Sequence, residues 1–495
     1  MLLFLIGIVL LVVGYYTYGR FVERILQPDD RPTPAIAQED GVDFVPLPKW
    51  KNALIQLLNI AGVGPVIGVI LGIKFGAIVF LIIPIGNILG GAVHDYVSGM
   101  MSLRNNGSNL PHQIKINLGR FYYCIFAFFM AFLLLLVVTV FVNVPTQILD
   151  KHFFPENPLF WWIAATIFVY YILATLFPID KIIGRIYPFF GGMLILGTAL
   201  LFVSLVYHNL VMPGDFLRET PEIQAVIPQQ GPIIPCLFVT IACGILSGFH
   251  ATQSPIVART MRSEREARCT FYGMMVLEGV IAMIWAAGGM AIYHLFPEFL
   301  EKAPPIVLTE ITTYFLGGWM STVTVLAVVI LAITSGDTAL RSLRLSLSEF
   351  CHLDQKPLGK RFAVCLPLMI LIAGMLYWSN VDAKSFDILW KYFAWGNQVL
   401  AASTLLACTV WLFAMRRNFW ITLLPGLFMT FVVLSYILWT SPEHGGPVGI
   451  GLSLEKAYAT AAILTFLLAV WTHFRARKVR RHQEKMVDND IMINE

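Results

Sequence analysis

Asn59-Ile60-Ala61-Gly62-Val63-Gly64-Pro65-Val66 sits inside an apolar segment, 53–73, that is long enough to cross a membrane. Two glycines and a proline stand where the middle of that helix should be. A bilayer has no water to satisfy the backbone groups such a break frees, so broken helices persist only inside protein or beside a water-filled cavity. Gly64 followed by Pro65 reads as one half-helix ending and another beginning, with proline near its first position, where a missing N–H costs nothing. The stretch therefore predicts a binding site.

The rest of the chain supplies a membrane for it. Of 495 residues 57% are hydrophobic and 13% charged, whereas a soluble protein is roughly a quarter charged. Apolar runs of spanning length fall at 2–18, 53–73, 76–101, 121–146, 159–177, 183–208, 232–254, 269–295, 318–348, 361–379, 386–415, 418–440 and 455–474. The first has no basic residue before Arg20 and ends in Tyr15-Tyr16-Thr17-Tyr18, so it reads as an uncleaved helix rather than a signal peptide. With the N-terminus outside and alternate crossings, about 27 of the 34 Lys and Arg residues fall on the inner side, as positive-inside topology requires. The C-terminus is then cytoplasmic. The seven cysteines form no C-x-x-C pair, which argues against a zinc site or disulfide framework. No nucleophile motif or soluble domain stands out, so the chain reads as a non-enzyme with no cofactor. Its partners are the lipid bilayer and a small solute, with no sign of nucleic-acid binding and no indication of oligomeric state. The basic tail 475–495 suits an anionic membrane surface.

A second Gly-interrupted segment, Thr240-Ile241-Ala242-Cys243-Gly244-Ile245-Leu246-Ser247-Gly248-Phe249-His250, comes five segments after the first and runs the opposite way. Paired interruptions in oppositely oriented halves point to an inverted-repeat secondary transporter. The predicted fold is all-α and polytopic, with about 13 membrane helices and a 5+5 inverted-repeat core containing two broken helices, the arrangement that the resemblance given below identifies as LeuT-like (APC-type). Its parts are a peripheral helix 1–19, a cytoplasmic linker 20–52, five-helix repeats 53–208 and 209–415, two peripheral helices 416–474 and the tail. Close packing of small residues is the competing explanation for each Gly cluster.

Polar groups inside the spans mark candidate sites, because they are costly there. Glu278 lies too deep to reach water and reads as a paired or proton-exchanging carboxylate. Asp95, in Gly91-Ala92-Val93-His94-Asp95-Tyr96, falls toward the inner end of its span and is either interfacial or functional. Asp337 stands one helical turn before Arg341, a spacing that fits a structural ion pair. With Thr334 and Ser335 it could equally serve a small cation. His250 reads either as a local hydrogen-bonding group or as a proton or substrate contact. Asn397 and Gln398 read first as helix–helix hydrogen bonds. The substrate-binding set is thus Gly62, Gly64, Pro65, Ser247, Gly248, His250, Asn397 and Gln398. The ion-coupling set is Ala61, Thr334, Ser335, Asp337, Glu278 and Asp95, with oxygen ligands for Na+ at Ala61, Gly64, Thr334 and Ser335 as the alternative to H+ exchange.

The chain resembles the carbon starvation protein A (CstA) family of bacterial inner-membrane transporters. The resemblance rests on Tyr18-Gly19-Arg20-Phe21, Asp29-Asp30-Arg31-Pro32-Thr33-Pro34-Ala35, Asp40-Gly41-Val42-Asp43-Phe44-Val45-Pro46, Ile60 to Pro65, Gly91 to Asp95 and Phe238 to His250, then on Asp337 with Arg341 and on Asn397-Gln398. It implies uptake of peptides or pyruvate under nutrient limitation, a LeuT-like fold and coupling to H+ or Na+. The sequence departs from the family where Ile55-Gln56 replaces paired histidines. It departs again at Ala251-Thr252-Gln253-Ser254-Pro255, and at Asp337-Thr338-Ala339-Leu340-Arg341, which keeps only the charged ends of its motif. The competing functions are a membrane nutrient sensor and a passive channel.

Overall fold

A computed structural model describes residues 1–494 except 42–43, 177–179, 213, 352 and 354–356. Val42 and Asp43 of the linker motif lie outside the described residues, as do the side chains of the tail from 485 onward. Among the described residues the protein is helical and without strands, apart from a single parallel bridge between Leu47 and Met261.

Ten helices among the described residues are long and apolar enough to cross a membrane, or eleven if the bent pair Lys49–Ile60 and Gly64–Phe75 is one span. The protein is thus a multi-pass membrane protein. The two other expected segments are helical but fall short individually. The described part of one is an apolar helix over Phe160–Ala174, and 232–254 is divided among short helices. The last helix runs over Leu454–Asn494 and so continues into the basic tail.

Helix periodicity sorts lipid from core. In Arg120–Phe153, Phe121, Ile125, Phe128 and Phe132 are exposed, whereas Phe126, Met130, Leu133 and Val137 recur three or four residues apart and are buried. Apolar side chains pointing outward meet acyl chains rather than water, so their exposure carries no penalty here. Glu264–Leu295 and Ser385–Ala414 are each 89% buried across their apolar windows and form the centre, whereas Leu454–Glu484 is 17% buried and peripheral.

The two interrupted helices pack against each other. Gly64, Gly68 and Gly72 recur every four residues, placing a strip without side chains along one face. A Cβ on Gly64 would collide with Cys243 Sγ, one on Gly68 would stand 3.0 Å from the Thr240 carbonyl oxygen, and one on Gly72 would collide with Ile241. As the first chain runs from 64 to 72, its partner runs back from 243 toward 237, so the pair is antiparallel.

The linker forms a strap over one end of this core. The Leu47 N–H donates to the Thr260 carbonyl at 2.9 Å, and the Thr33 hydroxyl donates to the Met261 carbonyl. Beneath it, Arg104 donates from Nη2 and Nε to the buried Glu264 carboxylate at 2.7 and 3.0 Å. At the exposed edge, Arg31 hydrogen-bonds Asp29 and holds that carboxyl below the ordinary carboxylate range.

Candidate functional site

Each broken helix ends for a local reason. Lys49–Ile60 stops at Ala61, whose ψ of 46° leaves the helical region, and the chain resumes at Gly64 with a bend of 53°. In the second, Ala242–Ile245 stops where Leu246 and Ser247 become extended, and Gly248–Ala258 begins again. The N-terminus of that last helix is capped from another helix. The Phe249 N–H donates to Asn397 Oδ1 at 2.8 Å, and Asn397 Nδ2 donates to Ser247 Oγ at 2.9 Å. An N–H group that would be orphaned at a helix start thus finds a partner across the core.

Gly248 permits that contact. A Cβ there would collide with Leu400 Cβ, the Ala401 nitrogen and the Asn397 carbonyl oxygen, two of them rigid backbone. Gly248→Ala is expected to destabilise the protein by about 1–3 kcal/mol, the usual cost of overpacking a tight core. Thermal unfolding in detergent measures this, and an unchanged midpoint would count against the clamp.

The two breaks face a small recess, with room in this conformation for about one water molecule. The first break contributes Asn59, Ile60, Gly62 and Gly64, and the second contributes Cys243, Ser247, Phe249 and His250. Neighbouring helices add Phe141, Ser335, Phe393 and Asn397. Phe141 meets Phe249 and Phe393 edge-on at centroid distances of 6.1 and 6.2 Å, forming an apolar wall opposite polar groups. A few convergent polar groups in an apolar recess are what a small-solute site requires.

Behind His250 runs a buried chain of ionisable groups. His94 Nδ1 and His250 Nδ1 stand 2.8 and 3.0 Å from the two oxygens of Asp95. With Asp95 ionised, and so accepting only, both rings would carry their proton on Nδ1. The other nitrogen of His250 faces Glu278 Oε2 at 3.7 Å. All four side chains are at most 1% exposed. Asp95 is therefore buried in protein, and His250 stands between Asp95 of Ala92–Arg104 and Glu278 of Met274–Leu295.

The remaining expected residues divide. Gly62, Gly64, Ser247, His250, Asn397 and Ser335 line the cavity, whereas Pro65, Gly248, Gln398, Ala61, Thr334, Asp337, Glu278 and Asp95 are not among its lining residues. Gln398 Nε2 reaches the Phe238 carbonyl at 3.4 Å. The Thr334 hydroxyl donates within its own helix to the Leu331 carbonyl, while the Ser335 hydroxyl beside Gly62 has no hydrogen-bond partner. The expected ion pair of Asp337 with Arg341 is not hydrogen-bonded, since neither Asp337 oxygen has a partner. Asp337 instead lies within electrostatic reach of Tyr171, Arg341 and Arg344, away from the histidine chain.

Sequence reading passed over His94, although a second ionisable residue beside Asp95 in an apolar span was a usable signal. Asn59, a polar residue just before the break, was another. Nothing separated Phe141, Phe249 and Phe393 from the other phenylalanines.

Broken helices meeting at a buried polar recess within a multi-pass bundle give this chain the build of a membrane transporter. Its fold matches that of the Eremococcus coleocola manganese transporter, solved in mutant form, with a TM-score of 0.56 at 13% identity over 87% of this chain and 94% of that one. The chain belongs to the carbon starvation protein CstA family, whose model matches residues 1–220, 154–295 and 303–436. An uncharacterized membrane protein of Haemophilus influenzae is 40% identical over 352 residues, 61% of this chain and 94% of that one. The peptide transporter CstA of Helicobacter pylori is 26% identical over 94% of this chain and 85% of its own length. The pyruvate/proton symporter BtsT of Escherichia coli is 24% identical over 59% of this chain and 49% of its own.

Proposed function

We propose that the protein is a secondary active transporter importing small carboxylate-bearing nutrients, short peptides or pyruvate, across the bacterial inner membrane during carbon limitation. Transport is driven by a proton or sodium gradient. The proposed frame is the LeuT-like one, with thirteen crossings, the N-terminus outside, the C-terminus in the cytoplasm, and halves 53–208 and 209–415 rocking about the site. The observation that carries the reading is the cavity between the two breaks, lined on both sides by broken-helix residues. A helix start presents N–H groups and the positive end of its dipole, which suit a carboxylate. The peptide and pyruvate transporters among the relatives support the substrate class. Sodium coupling draws support from the unpartnered Ser335 hydroxyl beside Gly62.

Purified protein in liposomes tests this with labelled pyruvate and trialanine, under an inward proton gradient and, separately, an inward sodium gradient. Saturable accumulation that collapses with an ionophore is expected. Unsaturable flux insensitive to the ionophore would indicate a passive channel, binding without uptake would indicate a sensor, and either would sink the proposal.

A further inference from the structure

Taking the proton as the coupling ion, as the name of the pyruvate/proton symporter relative suggests, we infer from the geometry around His250 that it is held between His250 Nε2 and Glu278 Oε2 and binds together with an anionic substrate. This rests on the transport reading above and names the ion's seat. With Asp95 ionised it accepts from both Nδ1 atoms, so each imidazole is oriented and its Nδ1 proton is committed. What remains free to change is the single proton between His250 Nε2 and Glu278, 3.7 Å apart. It resides either on the carboxyl, facing a bare ring nitrogen, or on the ring, facing a carboxylate. Neither Glu278 oxygen has a hydrogen-bond partner, so no other donor competes for it.

Charge sets the direction of coupling. The titratable groups facing Glu278 are His250 and Cys243 on the second broken helix and Asp95 on Ala92–Arg104. Those facing Asp95 are His94 and His250. No cationic Lys or Arg contacts these four side chains in a described ion pair. With both histidines neutral and both carboxylates ionised, two negative charges lie buried beside the cavity, an arrangement of high cost away from water. Adding one proton removes one of those charges. Because His250 itself lines the cavity, a substrate carboxylate is repelled before that proton arrives and accepted after it. By linkage the substrate raises proton affinity by the same factor, typically about 5–150-fold for coupled sites. The proton enters when the cavity faces one side of the membrane and leaves from the same pair when it faces the other.

Calorimetric titration of the full-length protein in detergent tests this. Pyruvate and trialanine are the probes, in sodium-free buffers of differing ionisation enthalpy. Proton uptake on binding is expected, with affinity rising as pH falls across the neutral range, and Glu278→Gln should abolish that uptake. Wild-type binding without proton uptake, or binding that requires sodium, overturns the assignment without any variant. A folded Glu278→Gln protein that still takes up the proton overturns the choice of Glu278. If wild-type protein binds neither probe and moves neither in liposomes, the substrate reading fails instead.

Discussion

His250→Ala is expected to abolish solute uptake and to destabilise the protein by about 1–3 kcal/mol, the cost of leaving a buried acceptor without its hydrogen bond. The imidazole bridges two carboxylates from different helices, Asp95 and Glu278, both fully buried. Without it Asp95 keeps only His94, and two negative groups face each other across an apolar hole. A surface histidine would give no such result. The double variant His250→Ala with Glu278→Gln should regain part of the stability, because it removes one of the facing charges, but none of the uptake. Detergent unfolding curves and liposome uptake read the two effects separately. Full uptake by His250→Ala would remove the residue from the mechanism.

The second large effect is expected away from the cavity, under the strap. Glu264 is buried in the loop after the second broken helix and is gripped by Arg104, the last residue of the Ala92–Arg104 helix. Their side chains are 2% and 5% exposed. Glu264→Ala leaves the Arg104 guanidinium buried without its carboxylate, and a loss of about 3–5 kcal/mol is expected. Replacing both, as Arg104→Met with Glu264→Met, should be nearly neutral, because buried ion pairs exchange well for packed apolar side chains. Thermal unfolding of the single and double variants checks the pair. A double variant as unstable as the single one would mean that Glu264 acts through its other contacts, the Asp29 N–H and Arg31.

Much of this architecture is legible in the sequence because its causes are local. A run of apolar residues specifies a span, and Gly62-Val63-Gly64-Pro65 interrupts a helix whatever surrounds it. Periodicity also decides which face of Arg120–Phe153 turns outward. Span counting is weakest where a helix is interrupted, as at 232–254, since length is then a poor measure of a crossing.

The composition and breakers of this chain by themselves determined a multi-pass helical membrane protein and the two places where its helices come apart. Only the tertiary structure decided what meets there. Asp95 and His250 are 155 residues apart in the chain, so no local pattern could pair them, and Glu278 joins them from a third helix. It also gave Gly64 and Gly248 their purpose, which is close packing against Cys243 and the Asn397–Ala401 backbone. Propensity and hydropathy act over a few residues, whereas a buried polar chain exists only where distant helices bring donor to acceptor away from water.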